Sequence, residues 1–411
     1  MIKVCDAIMG AGKSSAAITY MNENPSQKFI YITPYLEEAR RIKENCPRLH
    51  FIEPSGKLEK YHYKKTLHTE KLIQEGRNIT TTHSAFKRYT KEMLEQIREQ
   101  GYILFIDENV DILENLEVDP FDLQVVREAG YLIEDGDRFR LSDKEYKGLA
   151  LKYDLFDLAK SRDLVRIDND DNKFYYWILT PDLLTSFKDV FILTYLFEGQ
   201  SICHFIKINK LSYSMIGVEN GEDGVYRFVD YPGKKPDYVR TLKDKIHILD
   251  NYKMNNIGND KYALSINWFQ KDKSDVKQLK NNIDNCFNNI WRKESSKKKL
   301  WGTYKVSFNQ LKGKGYTKSH LNFNTKATNS YKDRNCLVYA VNVFMNANEK
   351  VFYHRYGVEV DEDVYALSIM VQWIWRSAIR EGNDIYIYIP SRRMRNLLTD
   401  WINSISQEGN D

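Results

Sequence analysis

An α/β fold of two parallel-sheet domains in tandem, with a small α/β insertion in the first, is what the sequence predicts. Three observations carry that expectation. A strand-like start, IKVCDAI (2–8), runs into the glycine loop AIMGAGKSS (7–15) and then into AAITYMN, which can open a helix. Tyr102–Ile106 is a near-continuous apolar run ending in Asp107 and Glu108, as a parallel strand covered on both faces should be. The second half alternates again, with a helix over Asp275–Trp291 between strands at YALSINWF (262–269) and LWGTYK (300–305).

Composition bounds the rest. A chain of 411 residues is long enough for two or three domains with their own cores. An apolar share of 42% and an aromatic share of 13% exclude a disordered chain. The cysteines (Cys5, Cys46, Cys203, Cys286, Cys336) are odd in number, scattered and never in a CxxC pair, which argues against a disulfide framework or a zinc site. No signal peptide opens the chain, and the apolar run FILTYLF (191–197) is far short of the roughly 20 residues a spanning helix needs. The expectation is a soluble cytoplasmic protein that meets no membrane.

The first domain is expected over 1–212. Ala7, Gly10, Gly12, Lys13 and Ser14 fit the phosphate-loop pattern A-x-x-G-x-G-K-[ST]. Glycines let the backbone curl until its N–H groups face phosphate oxygens, and the following helix adds its positive end. Gly10, Ala11, Gly12, Lys13, Ser14 and Ser15 are therefore the predicted nucleotide cradle. Lys13 would reach the β- and γ-phosphates and the Ser14 hydroxyl would hold Mg²⁺. Asp107 would hold the same metal, and Glu108 would polarise an attacking water. Alone, this acidic pair would serve equally as a helix cap.

Between the acids and the next strand lies an acidic insertion, about 115–175, whose alternation around Glu134-Asp135-Gly136-Asp137 predicts a hairpin beside helices. Its charge suits a replication or repair partner protein better than nucleic acid. Residues 213–240, polar and rich in Gly and Pro, predict a two-stranded linker, and 241–411 the second domain. Within that domain, Arg292–Arg334 holds twelve Lys or Arg residues against two acids, a net +10 in a chain of +4, which leaves −6 for the remainder. Trp301, Tyr304, Phe308, Tyr316, Phe323 and Tyr331 interleave it. Lysines for phosphates and rings for bases describe a single-stranded nucleic-acid path. A solvated face over ordinary core aromatics has the same composition. Lys297, Lys298, Lys299, Lys312 and Lys314 are the predicted contacts. Finally QWIWRSAIR (372–380) spaces Gln372, Arg376 and Arg380 four apart, one stripe if the segment is helical throughout.

The chain resembles a superfamily 2 helicase of the compact kind found in phages and other mobile elements. In order, YITPYLEEARR (31–41) resembles motif Ia, NITTTHSAF (78–86) motif Ib, DENV (107–110) motif II and FILTYLFEG (191–199) motif III. FNTKATNSYKDRNCLVYAVNVF (323–344) resembles motif V and QWIWRSAIR motif VI. The resemblance implies two RecA-like domains, with Arg376 and Arg380 lining the cleft between them and contacting ATP phosphates. It implies nucleic-acid contacts from Thr33, Thr82, His83, Ser84, Lys326, Thr328 and Asn329, and coupling through Thr194. Two departures stand out. Arg380 falls one residue later than the family's spacing, and motif III reads Leu193-Thr194-Tyr195 where small residues are usual.

The implied activity is ATP-driven unwinding or translocation on nucleic acid, DNA before RNA, in phage replication, recombination or repair. An ATP-gated clamp that never unwinds shares every motif. A packaging-type motor shares the nucleotide site but usually adds a nuclease domain, for which the stretch after motif VI is short.

Overall fold

The computed structural model describes residues 1–34, 36–59, 64–116, 120–142, 144, 160–169, 172–271, 273–325 and 330–407. In the first half, β1 (Ile2–Asp6), β2 (Phe29–Thr33), β3 (Ile79–Thr82) and β4 (Ile103–Asp107) precede β5 (Leu113–Asn115), β6 (Leu132–Asp135) and β7 (Arg138–Leu141). Then come β8 (Arg162–Asn169), β9 (Asn172–Leu179), β10 (Asp189–Thr194), β11 (Tyr213–Asn220) and β12 (Tyr226–Asp230). The second half has β13 (Ile246–Ile248), β14 (Lys299–Gly302), β15 (Cys336–Tyr339) and β16 (Ile385–Tyr388). The helices include α1 (Lys13–Glu23), α2 (His83–Phe86), α3 (Lys91–Gln100), α4 (Pro120–Glu128), α5 (Lys273–Asn285), α6 (Ala347–Arg355) and α7 (Glu362–Ile374).

Seven strands form one sheet in the order β12-β11-β1-β10-β4-β2-β3. Neighbours run parallel except β11 with β12. The residues account for this. FIYIT of β2 and ILFID of β4 are buried at every position, so both faces are covered, and parallel strands need crossovers such as α3 to supply the cover. Thr90 accepts a hydrogen bond from the Met93 amide to start α3, and left-handed Gly101 (φ 67°) ends it. Parallel strands present their carboxyl ends at one edge, where open α/β sheets bind ligands. Thr33, Thr82, Asp107 and Thr194 are the last residues of β2, β3, β4 and β10, and the glycine loop leaves β1 at the same edge.

Four parallel strands, ordered β13-β16-β15-β14, make the second sheet. The fold is thus the α/β arrangement of two parallel sheets in tandem that was expected. The chain forms two compact units, residues 1–234 with 346–360, and residues 235–345 with 361–411. The insertion is an antiparallel sheet, β5-β9-β8-β7-β6, whose core of Leu123, Val126, Leu132, Phe139, Leu164 and Trp177 is partly supplied by α4. Its β6–β7 turn is the anticipated hairpin. Among the described residues no helix is long and apolar enough to cross a membrane, and all five cysteines are free and buried.

Three local expectations give way. The two strands read over 214–238 form, but β11 pairs with β1 and carries β12 with it, so both extend the first sheet. YALSINWF makes turns and a helical turn from Trp268 where a strand was expected. Asn342 explains this: its Nδ2 donates to the Lys261 and Ala263 carbonyls, both at 2.9 Å, while Leu264 sits at φ 63°. The helix of QWIWRSAIR ends at Ile374. Ser377 is extended (φ −90°, ψ −170°), its Oγ donates to the Ile374 carbonyl at 2.6 Å, and the Ala378 amide leaves to donate to Arg334 at 2.8 Å. Gln372, Arg376 and Arg380 therefore do not form one helical stripe.

Candidate active site

The site begins where β1 ends. The loop turns through Gly10 (φ 85°) and Gly12 (φ 95°), both left-handed, and α1 starts at Lys13. Lys13 Nζ donates to the carbonyls of Ala7 and Ile8, the latter at 3.1 Å, folding back over its own loop. Burial lowers the pKa of its ammonium, while Cys5, Asp107, Asp6 and Glu108 pull it back up. Ser14 and Ser15 lie in the first turn of α1, beside the loop amides.

Ser14 Oγ donates to Asp107 Oδ2 at 3.3 Å, and the Tyr31 hydroxyl donates to the same oxygen at 3.1 Å. A ring nitrogen of His83, Nε2, donates to the Asp107 carbonyl at 2.8 Å, so β2 and the first residue of α2 both hold the last residue of β4. Glu108 follows with φ 64°, a left-handed backbone that costs a non-glycine residue about 1–3 kcal/mol. Its amide donates to the Leu193 carbonyl at 3.0 Å, and the Ala7 amide donates to that of Thr194 at 3.1 Å. Through these two carbonyls β10 ties the loop's root to the acidic pair, and Thr194 Oγ1 donates to Gln200 Oε1.

The donor set fits a magnesium nucleotide. A hydroxyl and a carboxylate oxygen face one another, and a left-handed glycine cradle and a lysine adjoin them, oxygen ligands of the kind Mg²⁺ takes together with substrate phosphates. Burial pushes the Asp107 carboxyl up to about 7, with Glu108 and Glu38 adding to it and Lys13 and Tyr31 opposing. A carboxyl raised in the folded state stabilises the fold below the usual carboxylate range, and that contribution is lost as pH rises through about 7. In EDTA, Asp107→Asn should match the wild type near pH 4 and exceed it at pH 8 in urea unfolding. Glu349, raised to about 7 by burial and Asp111, will leave part of the slope in place. An unchanged slope in the variant would count against Asp107 as its source.

Other predicted residues divide. Thr82 caps α2, its Oγ1 accepting from the Ala85 amide at 3.4 Å, and Ser84 is exposed. Thr33 has 0% exposure, so as it stands it meets no outside phosphate. Lys297, Lys298, Lys312 and Lys314 are exposed. Lys299 is the correction among them: it opens β14, is buried, and its Nζ donates to the Phe287 carbonyl at 2.8 Å. Trp301 and Tyr316 are also core, packed edge to face at 5.5 Å, and offer no platform to a base. What the basic run does form is a surface pocket of about 390 Å³ lined by Lys297, Lys314, Lys318, Arg334 and the turn Gly313–Gly315, with no acid among the described residues of its lining. Lys326, Thr328 and Asn329 lie outside the described residues. Arg376 is 7% exposed, set in the turn after α7, and Arg380 sits in the short helical turn Ala378–Glu381.

Sequence reasoning missed Tyr31, whose hydroxyl reaches Asp107 from a neighbouring strand. It also missed that the acidic insertion engages its own chain: Asp137 accepts from the Tyr356 hydroxyl at 3.0 Å and faces Arg355 at 3.5 Å, at the end of α6.

Residues 240–402 match the family described as the YonV C-terminal Rossmann-like domain. Over 416 residues the chain is 39% identical to the SPbeta prophage-derived uncharacterized protein YonV of Bacillus subtilis (strain 168), covering 98% of each. The chain belongs to the YonV family. The YonV C-terminal match runs straight through 346–360, the segment that folds with the first unit. Among solved structures, this YonV-family chain is similar to Xpd4 of S. tokodaii, at 13% identity, 99% of this chain, 95% of that one and a TM-score of 0.46. It is also similar to an apo XPD, at 11% identity, 97% and 95% coverage and a TM-score of 0.45.

Proposed function

We propose that this YonV-family chain is an ATP hydrolase that drives a helicase or translocase on nucleic acid, with DNA the first candidate. One observation carries the reading: at one sheet edge Lys13, Ser14, Asp107 and Glu108 converge on the glycine loop, with Ser14 Oγ 3.3 Å from Asp107 Oδ2. Motifs Ia to VI, in the order a superfamily 2 helicase has them, support the nucleic-acid part, and DNA suits a relative described as prophage-derived.

In this reading Lys13 leaves the Ala7 and Ile8 carbonyls for the β- and γ-phosphates. Ser14 and Asp107 hold Mg²⁺, which when bound neutralises charge on the phosphate oxygens. Glu108 accepts a proton from the attacking water. Tyr31 and His83 keep Asp107 in place, and Thr194 relays the state of the loop along β10. Lys297, Lys314, Lys318 and Arg334 take backbone phosphates, which position a strand without reading its sequence.

The test is ATP hydrolysis and strand displacement, each with DNA and with RNA. Hydrolysis should rise with nucleic acid, and duplex should be displaced. Neutralising Lys297 and Lys314 together should weaken binding to many sequences alike and flatten the log–log salt dependence by about 0.7–0.9 for each phosphate no longer neutralised. No hydrolysis with any nucleic acid would end the proposal. Hydrolysis without displacement would leave the ATP-gated clamp.

A further inference from the structure

Gly12, the last loop residue before α1, is pressed by an aromatic ring from the far edge of the sheet. A Cβ placed on Gly12 would lie 2.0 Å from Tyr226 Cδ1 and 2.3 Å from Cε1. Tyr226 is the first residue of β12, paired with Asn220 at the end of β11. Since β11 runs parallel to β1, that pairing brings Tyr226 to the phosphate-loop edge. Two residues on, and so on the same face of the strand, Phe228 is fixed in an aromatic cluster, 5.3 Å from Phe191 and 6.4 Å from Tyr20 of α1. The strand is thereby clamped beneath α1, and Tyr226 is held at the helix's first turn. The ring is only half-buried, and among the described residues its hydroxyl makes no hydrogen bond.

We propose that Tyr226 is the base-stacking residue of the nucleotide site, so that the site takes nucleoside triphosphates in preference to bare polyphosphate. The inference rests on the phosphate-loop reading above. A nucleotide seated on the loop amides extends its base one ribose away from the α-phosphate, and a ring against Gly12 stands within that reach. Stacking uses the π-face, which every base has, and does not read hydrogen-bonding edges. The site should therefore demand a base while discriminating weakly between ATP and GTP.

The experiment is equilibrium binding to the full chain of ATP, GTP and inorganic tripolyphosphate, with Glu108→Gln in every protein to suppress turnover. With Tyr226 in place, ATP and GTP should bind within a few-fold of each other and more tightly than tripolyphosphate. Tyr226→Ala should weaken ATP about tenfold and leave tripolyphosphate unchanged, whereas Tyr226→Phe should retain ATP affinity. A thermal melt of each variant checks folding. Equal losses for ATP and tripolyphosphate in Tyr226→Ala would mean that the ring only packs on Gly12, and the proposal fails. Unchanged ATP affinity overturns it as well. Tripolyphosphate binding as tight as ATP in the parent protein overturns the base site and leaves the phosphate loop standing. If none of the three ligands binds the parent, the phosphate-loop reading falls first and this proposal with it.

Discussion

Lys13→Ala and Glu108→Gln are each expected to abolish ATP turnover while parting in how they bind nucleotide. Lys13 is the first residue of α1 and its ammonium already sits within the loop, on the carbonyls of Ala7 and Ile8. Removing it takes a positive charge from the place where phosphates would arrive, so ATP affinity should fall with the rate. Glu108 stands at the end of β4 with its backbone fixed left-handed by the hydrogen bond to Leu193, and Gln keeps the size and the amide while losing the base. Its variant should bind ATP normally and hold it unhydrolysed. Phosphate release gives the rates, and a fluorescent ATP analogue gives the affinities. Equal loss of binding in both variants would remove the distinction on which the two roles depend.

Arg376→Ala should lower nucleic-acid-stimulated kcat by about 10³ while moving the KM for ATP far less, the pattern of a guanidinium that acts only as the phosphoryl group leaves. This role is proposed from the resemblance of QWIWRSAIR to motif VI. The surroundings of Arg376 bear on its rigidity. Trp373 is fully buried, with its Nε1 donating to the Leu321 carbonyl at 3.2 Å, and Ile374 and Trp375 are buried beside it. A buried arginine is also a structural residue, so Arg376→Lys is the informative partner. Lysine keeps charge and most of the length but lacks the planar fork, and should not restore the rate. Stability separates the two explanations: a packing role predicts a lower melting temperature with near-normal kcat. Wild-type turnover in a folded Arg376→Ala protein would defeat the assignment, and Arg380, in its own helical turn, should give the smaller loss.

The parts of this molecule that were legible in the sequence are those whose evidence is contiguous. The loop at 7–15 carries its strand, its glycines and its helix within a few residues, and β4 announces itself as a near-continuous apolar run. The arginine stripe was misread because a four-residue spacing continues in the sequence past the point where the helix stops. Ser377 takes the Ile374 carbonyl and Ala378 turns to Arg334, neither of which periodicity records. Lys297, Lys298 and Lys299 look alike in a basic run, yet the third begins a strand and its stem runs inward beneath Phe287. Tyr31 and Tyr226 reach the site only through strand pairing, so their positions follow from sheet order, and no local pattern marks them.

The way the chain divides into units has a further consequence for dissecting it. Residues 346–360 lie between two segments of the second unit but fold with the first, where Tyr353 rests on His204 at 4.7 Å and Tyr356 on Asp137. No single cut separates the halves. A fragment of residues 1–234 would lose α6 and bare the acidic hairpin and the His204 ring that α6 covers. A fragment of residues 235–411 would carry the same helix with Phe352 and Tyr353 exposed to water. Truncations meant to isolate the ATP site therefore need 346–360 supplied again, grafted after residue 234 or added as a peptide, before a loss of function in them says anything about chemistry.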